Sequence, residues 1–335
     1  MTNFYKILFL NTLIMGTLVS ISSYSWLSMW MGLEINLLSM IPLMVGKNVF
    51  SSESALKYFI TQTLASSAVL FSIIMMMNTK EFIPQNSNVL FLLIMNSALL
   101  TKLGAAPFHS WFPEVLEGVN WMNCLILLTW QKIAPMMLIM YNFKMNLFMS
   151  AIIVFSSITG SILGLNQTSM RKIMAYSSIN HIGWMIASMF STPTWMNYFV
   201  IYCIITINIV IILSKNKIYW INQINTVFSK SKSFKLAFMM NFLSLGGIPP
   251  FLGFFPKWIT INLLVNNNFF MLSFILIVMT LITMFFYLRI TFSTMTINYE
   301  ETLIKQNDMS LFLTNCTNFL SISGLLVCTM IPNLT

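Results

Sequence analysis

The chain has 335 residues, of which 57% are hydrophobic and only 7% charged, with a mean hydropathy of +0.81 and a formal net charge of +9. An ordinary soluble domain carries roughly 25% charged residues, so this composition excludes a soluble enzyme or binding module. The apolar residues come in blocks of about 20, the length that crosses a hydrocarbon core of about 30 Å as a helix; a membrane β-barrel would show short alternating segments instead.

The blocks predict an all-α polytopic membrane protein with about eleven transmembrane helices, roughly at 5–23, 25–46, 55–77, 88–113, 121–141, 146–165, 172–190, 196–214, 236–257, 268–290 and 309–331. Residues 7–23 could pass for a signal peptide, but the next stretch, 24–45, is equally apolar and no processing site is clear, so they count as the first span. The longest connection, Ser214 to Ser233, is too polar to span, and no connection has the length for a soluble domain. With the N-terminus facing the compartment of synthesis, Lys6, Lys47, Arg171, Lys172, Lys215, Lys217, Lys230, Lys232, Lys235, Arg289 and Lys305 all fall on that side. Only Lys80 and Lys144 lie in loops opposite, which is the asymmetry of the positive-inside rule. Topology therefore accounts for the basic residues without nucleic acid, and the lysines of 215–235 could also meet anionic lipid headgroups. Cys124, Cys203, Cys316 and Cys328 are isolated in apolar segments and read as small buried hydrophobes, neither disulfide nor metal ligands.

Two stretches echo one another. "GAAPFHSWFP" (Gly104 to Pro113) and "GIPPFLGFFP" (Gly247 to Pro256) share the pattern G-x-x-P-F-x-x-aromatic-F-P inside long apolar blocks. Pro107, Pro113, Pro249, Pro250 and Pro256 interrupt the backbone ladder there. The first copy enters an even-numbered span and the second an odd one, so the two would run in opposite directions, as an inverted repeat with two discontinuous helices requires. Broken helices at matching places in two halves of a transporter point to an ion pathway.

Four ionisable residues sit in span interiors or beside the breaks: Glu34, Lys102, Lys132 and Lys257. An ammonium at a bilayer centre costs about 2.5 to 3.5 kcal/mol on insertion scales, so such charges are a functional hypothesis by default. Lys57 reads differently, as a lysine near a helix end that snorkels to the interface. Lys257 could do the same, and Glu34 with Lys102 could be a structural pair. The functional reading is proton transfer. A desolvated lysine can release its proton near neutral pH and a nearby carboxylate opposes this, so Glu34, Lys102, Lys132 and Lys257 can form a relay in which each site loads or unloads its neighbour. His109, inside the first break, and His181 could join a water-lined path; His109 could equally satisfy carbonyls freed by Pro107 and Pro113. The sequence contains no G-x-G-x-x-G after a strand, no G-x-x-x-x-G-K-[ST], no H-E-x-x-H and no G-x-S-x-G, so redox chemistry is expected elsewhere.

The stretches "WMGLEINLLSMIPL", "KLGAAPFHSWFPEVLEG", "LLTWQKIAPM", "RKIMAYSSINHIGWM" and "SLGGIPPFLGFFPKW", in this order and spacing, closely resemble the subunit-2 family of antiporter-like membrane subunits of mitochondrial NADH:ubiquinone oxidoreductase, respiratory complex I. The heavy use of Met, Ile, Phe and Asn resembles an arthropod mitochondrial product. The resemblance implies a buried glutamate followed by lysines on successive helices, which fall on Glu34, Lys102, Lys132 and Lys257. It implies two inverted five-helix repeats, here about 1–142 and 146–290, with a final helix at about 309–331, all within one membrane domain. Bacterial relatives carry fourteen helices and animal versions lack the first three. It also implies the mitochondrial inner membrane, with the N-terminus on the matrix side, and proton pumping driven by electron transfer from NADH to ubiquinone. NADH, FMN, iron–sulfur clusters and ubiquinone are expected in partner subunits and none in this chain, with no metal. Partners would be neighbouring antiporter-like and small membrane subunits and lipids such as cardiolipin. Two other classes compete: a cation/proton antiporter subunit, which shares the broken helices and buried lysines, and a structural membrane spacer, which has no reason to keep four ionisable groups at relay positions.

Overall fold

In a computed structural model of the chain, residues 4–46, 48–78, 86–143, 145, 147–228 and 232–295 are described, and the regular elements among them are α-helices and one 3-10 turn, Ser188–Phe190. The chain divides into two compact units, Met1–Ile152 and Ile153–Thr335. The first contains α1 (Phe4–Ser22), α2 (Trp26–Met44), α3 (Val49–Asn78), α4 (Asn86–Leu103), α5 (Trp111–Gly118), α6 (Trp121–Leu128), α7 (Trp130–Tyr141) and the start of α8 (Leu147–Leu165). The second contains the rest of α8, then α9 (Met170–Ala187), α10 (Thr192–Lys215), α11 (Ile221–Phe228), α12 (Lys232–Gly246), α13 (Phe254–Asn266) and α14 (Phe270–Met295).

Seven helical segments among the described residues are long and apolar enough to cross a membrane: α1, α2, α3, α6 with α7, α8, α10 and α14. The expected spans at 88–113, 172–190 and 236–257 fall outside these seven. Two are interrupted, and α9 carries Ser177, Ser178, Asn180 and His181. The eleventh expected span, 309–331, lies outside the described residues, as do Cys316 and Cys328. The connection Ser214 to Ser233 contains the short helix α11.

The helices of the first unit pack closely because small residues let them. A Cβ on Gly32 of α2 would lie 2.6 Å from the Ser20 amide and 2.8 Å from the Gly16 carbonyl of α1, so these backbones touch where the glycines face. Ser25 caps α2 by accepting from the Ser28 amide at 3.3 Å. The outer face of α1 presents Ile7, Leu8, Met15 and Leu18 outward, as a lipid-facing helix would. In the second unit α9 is enclosed on nearly every side: all its residues except Arg171, Lys172 and Tyr176 are buried. A helix with this many polar groups is tolerated at membrane depth only where protein surrounds it. Arg289 of α14 holds the end of α8 by donating to the Leu165 and Gln167 carbonyls, each at 2.7 Å.

At both echoed stretches one helix ends, a glycine with positive φ turns the chain, and another helix begins. α4 ends at Leu103, Gly104 turns the chain at φ +74°, and α5 begins at Trp111. α12 ends at Gly246, Gly247 turns it at φ +82°, and α13 begins at Phe254. Left-handed backbone is where glycine is favoured. The Ala106–Pro107 peptide is cis, and Pro249 and Pro250 lie in the second turn. Pro113 and Pro256 correct the expected boundaries. They are the third residues of α5 and α13, not span ends, and helix continues to Gly118 and Asn266. First-turn amides have no intrahelical acceptor, so proline there begins a helix instead of ending it.

A further irregularity is absent from the sequence reading. The stretch 121–141 divides at Thr129 (φ −116°, ψ −71°), whose hydroxyl donates to the Leu125 carbonyl at 2.7 Å. Pro135, inside α7, offers no amide to the Gln131 carbonyl. The backbone is therefore loosened on both sides of Lys132.

Candidate functional site

The sequence-predicted residues fall into two clusters, one in each unit. In the first unit, Lys102 lies in the last turn of α4, just before the break, and is 8% exposed. Lys132, in the first turn of α7, is 1% exposed. Both line one cavity with Leu33, Asn36 and Leu37 of α2, Tyr58 and Gln62 of α3, Trp111 and Phe112 of α5, and Leu127, Gln131 and Pro135. The cavity has about 20 Å³ of room for water centres, enough for one or two waters.

Its wall is built from polar groups that the sequence reading did not single out. Gln131 donates through Nε2 to Asn36 Oδ1 at 2.7 Å, joining α7 to α2. The carbonyls exposed by the first break are met by neutral donors: Trp111 Nε1 donates to the Thr101 carbonyl at 3.1 Å, and Gln62 Nε2 reaches the Lys102 carbonyl at 3.4 Å. Glu34 is half-buried on α2, and its charge acts on Lys102 through space. No ion pair within 4.0 Å joins them; Lys57 instead pairs with Glu53 and Glu114.

Lys57 does not simply snorkel. It lies 2.9 Å from both Glu53 and Glu114, pinning α5, the helix that resumes after the first break, to α3. All three side chains are largely exposed, so the pairs guide geometry more than they add stability. His109, in the turn between α4 and α5, is half-buried with the Pro107 carbonyl as electrostatic neighbour, and its Nδ1 meets no hydrogen-bond partner.

In the second unit Lys257, in the first turn of α13, is 6% exposed and turns back into the break. Its ammonium donates to the Gly246 carbonyl at 2.7 Å and to the Leu245 carbonyl at 3.3 Å. These are carbonyls that α12 leaves without amide partners when it ends. The ammonium also lies 6.0 Å from the centroid of the Trp184 ring of α9, at the outer limit of cation–π attraction. One turn earlier on α9, His181 Nδ1 is 2.9 Å from the Tyr198 hydroxyl of α10, and its ring is 5.1 Å from that of Tyr202. The Tyr202 and Tyr287 hydroxyls meet Ser178 and Ser177 of α9. Among the described residues no group of histidine, cysteine and carboxylate side chains is placed to hold a metal ion, and the Cys124 thiol donates to the Leu116 and Val119 carbonyls, each at 3.4 Å.

The arrangement combines buried amines, a nearby carboxylate, hydroxyls and amides. It is suited to binding and passing protons. A signal for the missed residues was present in the sequence: Asn36, Gln62 and Gln131 are amides inside apolar blocks, and Gln131 adjoins Lys132.

The chain is similar to known proteins in sequence and in fold. The family described as NADH:quinone oxidoreductase/Mrp antiporter, TM, matches residues 23–283. The NADH-ubiquinone oxidoreductase chain 2 of Anopheles gambiae is 51% identical over 335 residues, covering 97% of each chain. In fold, a chain of respiratory complex I from Thermus thermophilus superposes with a TM-score of 0.87 at 22% identity, over 99% of this chain and 79% of that one. A chain of an Mrp complex from a Dietzia species gives 0.77 at 15% identity, over 83% of this chain and 58% of that one.

Proposed function

The chain belongs to the NADH:quinone oxidoreductase/Mrp antiporter family, in its NADH-ubiquinone oxidoreductase chain 2 branch, and from that premise we propose that it is a proton-translocating membrane subunit of respiratory complex I. The observation that carries the reading is the placement of Lys102 and Lys132 on one small polar cavity, with Glu34 close enough to act on the first. Two ammonium groups sharing a poorly hydrated site repel one another. Loading either therefore favours discharge of the other, and a change at Glu34 biases which is loaded.

Lys257 is the third lysine of the proposed relay. Its contacts with freed carbonyls give a proton on that amine three donors to place and two acceptors ready. His181, with the Tyr198 hydroxyl beside it, and His109, in the first break, are candidate members of the water path. The chain carries no redox centre in this reading: NADH, FMN, iron–sulfur clusters and ubiquinone belong to partner subunits. Electron transfer there drives the charge changes here.

The same reading places the chain in the mitochondrial inner membrane with eleven spans, the N-terminus on the matrix side, and inverted repeats at about 1–142 and 146–290. The matched break geometry at Gly104 and Gly247 supports the repeats. Its neighbours are other antiporter-like and small membrane subunits and lipids such as cardiolipin. The cation/proton antiporter reading shares the fold, but the 51% identity lies with the chain 2 branch.

Native electrophoresis of gently solubilised membranes tests this. The chain should co-migrate with in-gel NADH-dehydrogenase activity. Migration as a small particle without that activity would replace the proposal with the antiporter reading.

A further inference from the structure

Two polar groups on the first-unit cavity have no hydrogen-bond partner among the described residues. One is the Lys102 ammonium, on a residue 8% exposed, and the other is the Tyr58 hydroxyl, on a residue 3% exposed. A buried polar group without a partner costs free energy comparable to a lost hydrogen bond, so native proteins satisfy such groups with protein or with ordered water. Here the space beside both groups has about 20 Å³ of room for water centres, against the 10 to 15 Å³ that one water needs.

The rest of the wall fits the same occupant. A buried water makes two to four hydrogen bonds. Besides Lys102 and Tyr58 the cavity offers the Gln62 amide and the Asn36–Gln131 pair, in which Gln131 Nε2 already donates to Asn36 Oδ1 at 2.7 Å. That bond fixes which way both amides face: the Asn36 oxygen is engaged by Gln131, and its nitrogen remains a donor. Amides neither lose nor gain a proton in this range. They can orient water but cannot carry the charge. A phenolic hydroxyl both donates and accepts, so Tyr58 can hold a water against Lys102 whether the lysine is an amine or an ammonium.

We propose that the first-unit cavity is a hydration site in which the Tyr58 hydroxyl and the Asn36–Gln131 amide pair hold water between Lys102 and Lys132, making Tyr58 a positioning residue for proton transfer. The inference rests on the proton-translocating reading above. Tyr58 acts through the water it orients, and its ring keeps a second, purely structural contact with Trp111, centroid to centroid 5.9 Å.

Tyr58→Phe separates the two roles, because it keeps the ring and removes the oxygen. The assembled complex carrying Tyr58→Phe, reconstituted in proteoliposomes, should show proton transfer through this chain slowed roughly threefold to tenfold, as loss of one hydrogen bond implies, read as fewer protons moved per NADH oxidised. Lys102→Met is measured beside it. If Lys102→Met lowers the ratio and Tyr58→Phe does not, this inference is overturned while the function stands; if neither lowers it, both fall. Should the Tyr58→Phe complex not assemble, a high-resolution structure of the unaltered complex decides. Water density within hydrogen-bond reach of Tyr58 Oη and Lys102 Nζ supports the site, and a dry cavity in a map that shows buried waters elsewhere overturns it.

Discussion

Lys257 has an observed contact role and a proposed proton-carrying one, and the two can be pulled apart. Its ammonium closes the end of α12 by meeting the Gly246 and Leu245 carbonyls, and in the proposed relay it also exchanges a proton. Lys257→Met removes both functions. Leaving buried carbonyls unmet costs about 1 to 3 kcal/mol, so this variant should lower the thermal midpoint of the complex as well as its pumping. Lys257→Arg keeps donors at the site, yet a guanidinium does not lose its proton in proteins. We expect Lys257→Arg to preserve the thermal midpoint and to lower protons moved per NADH. Wild-type pumping by Lys257→Arg would make the lysine a backbone cap and nothing more. The four charges proposed as a relay are legible at this scale because an ionisable residue inside an apolar block is conspicuous on cost alone. Tyr58 is not legible, because tyrosine in an apolar block reads as ordinary filling. The Lys57–Glu114 contact is not legible either, since its partners lie 57 positions apart and only the fold brings them together.

At the scale of the element, glycine and proline carry most of the information. The breaks at Gly104 and Gly247 can be located from sequence because proline removes a ladder donor and glycine accepts left-handed backbone. Their boundaries are less legible: Pro113 and Pro256 look like stops, yet in the first turn of α5 and α13 they are starts. The division at Thr129 is hidden as well, because a threonine that bonds its own helix looks no different in sequence from one that does not. Gly32 provides a prediction of the same kind. A methyl there would sit 2.6 Å from the Ser20 amide, and backbone cannot retreat as a flexible side chain can. Gly32→Ala should therefore push α1 from α2, with a loss of about 1 to 3 kcal/mol, read as a lower thermal midpoint of the assembled complex. An unchanged midpoint would show that the helices do not meet as closely as described.

For the whole molecule, hydropathy and loop charge decide how the chain meets its membrane. Blocks of about 20 apolar residues make the membrane class legible at once. The expected spans at 88–113, 172–190 and 236–257 are not among the seven long apolar helices of the described residues: two are interrupted, and α9 is a buried helix carrying Ser177, Ser178, Asn180 and His181. The proposed orientation rests on basic residues between spans, of which Lys215, the last residue of α10, and Lys217, just after it, are exposed. A membrane-impermeant amine reagent should modify Lys215 and Lys217 in inverted inner-membrane vesicles and leave them untouched in mitoplasts. Modification from the mitoplast side would reverse the assigned orientation.

The central claim, that this chain moves protons through its buried lysines, is tested most directly at Lys132, which is 1% exposed and lines the cavity with Lys102. The measurement is the number of protons translocated per NADH oxidised by the reconstituted complex carrying Lys132→Met. Replacing a buried charge with an apolar side chain of similar length need not destabilise a fold, so assembly should persist while the ratio falls. An assembled Lys132→Met complex that pumps at the unaltered ratio would contradict the account.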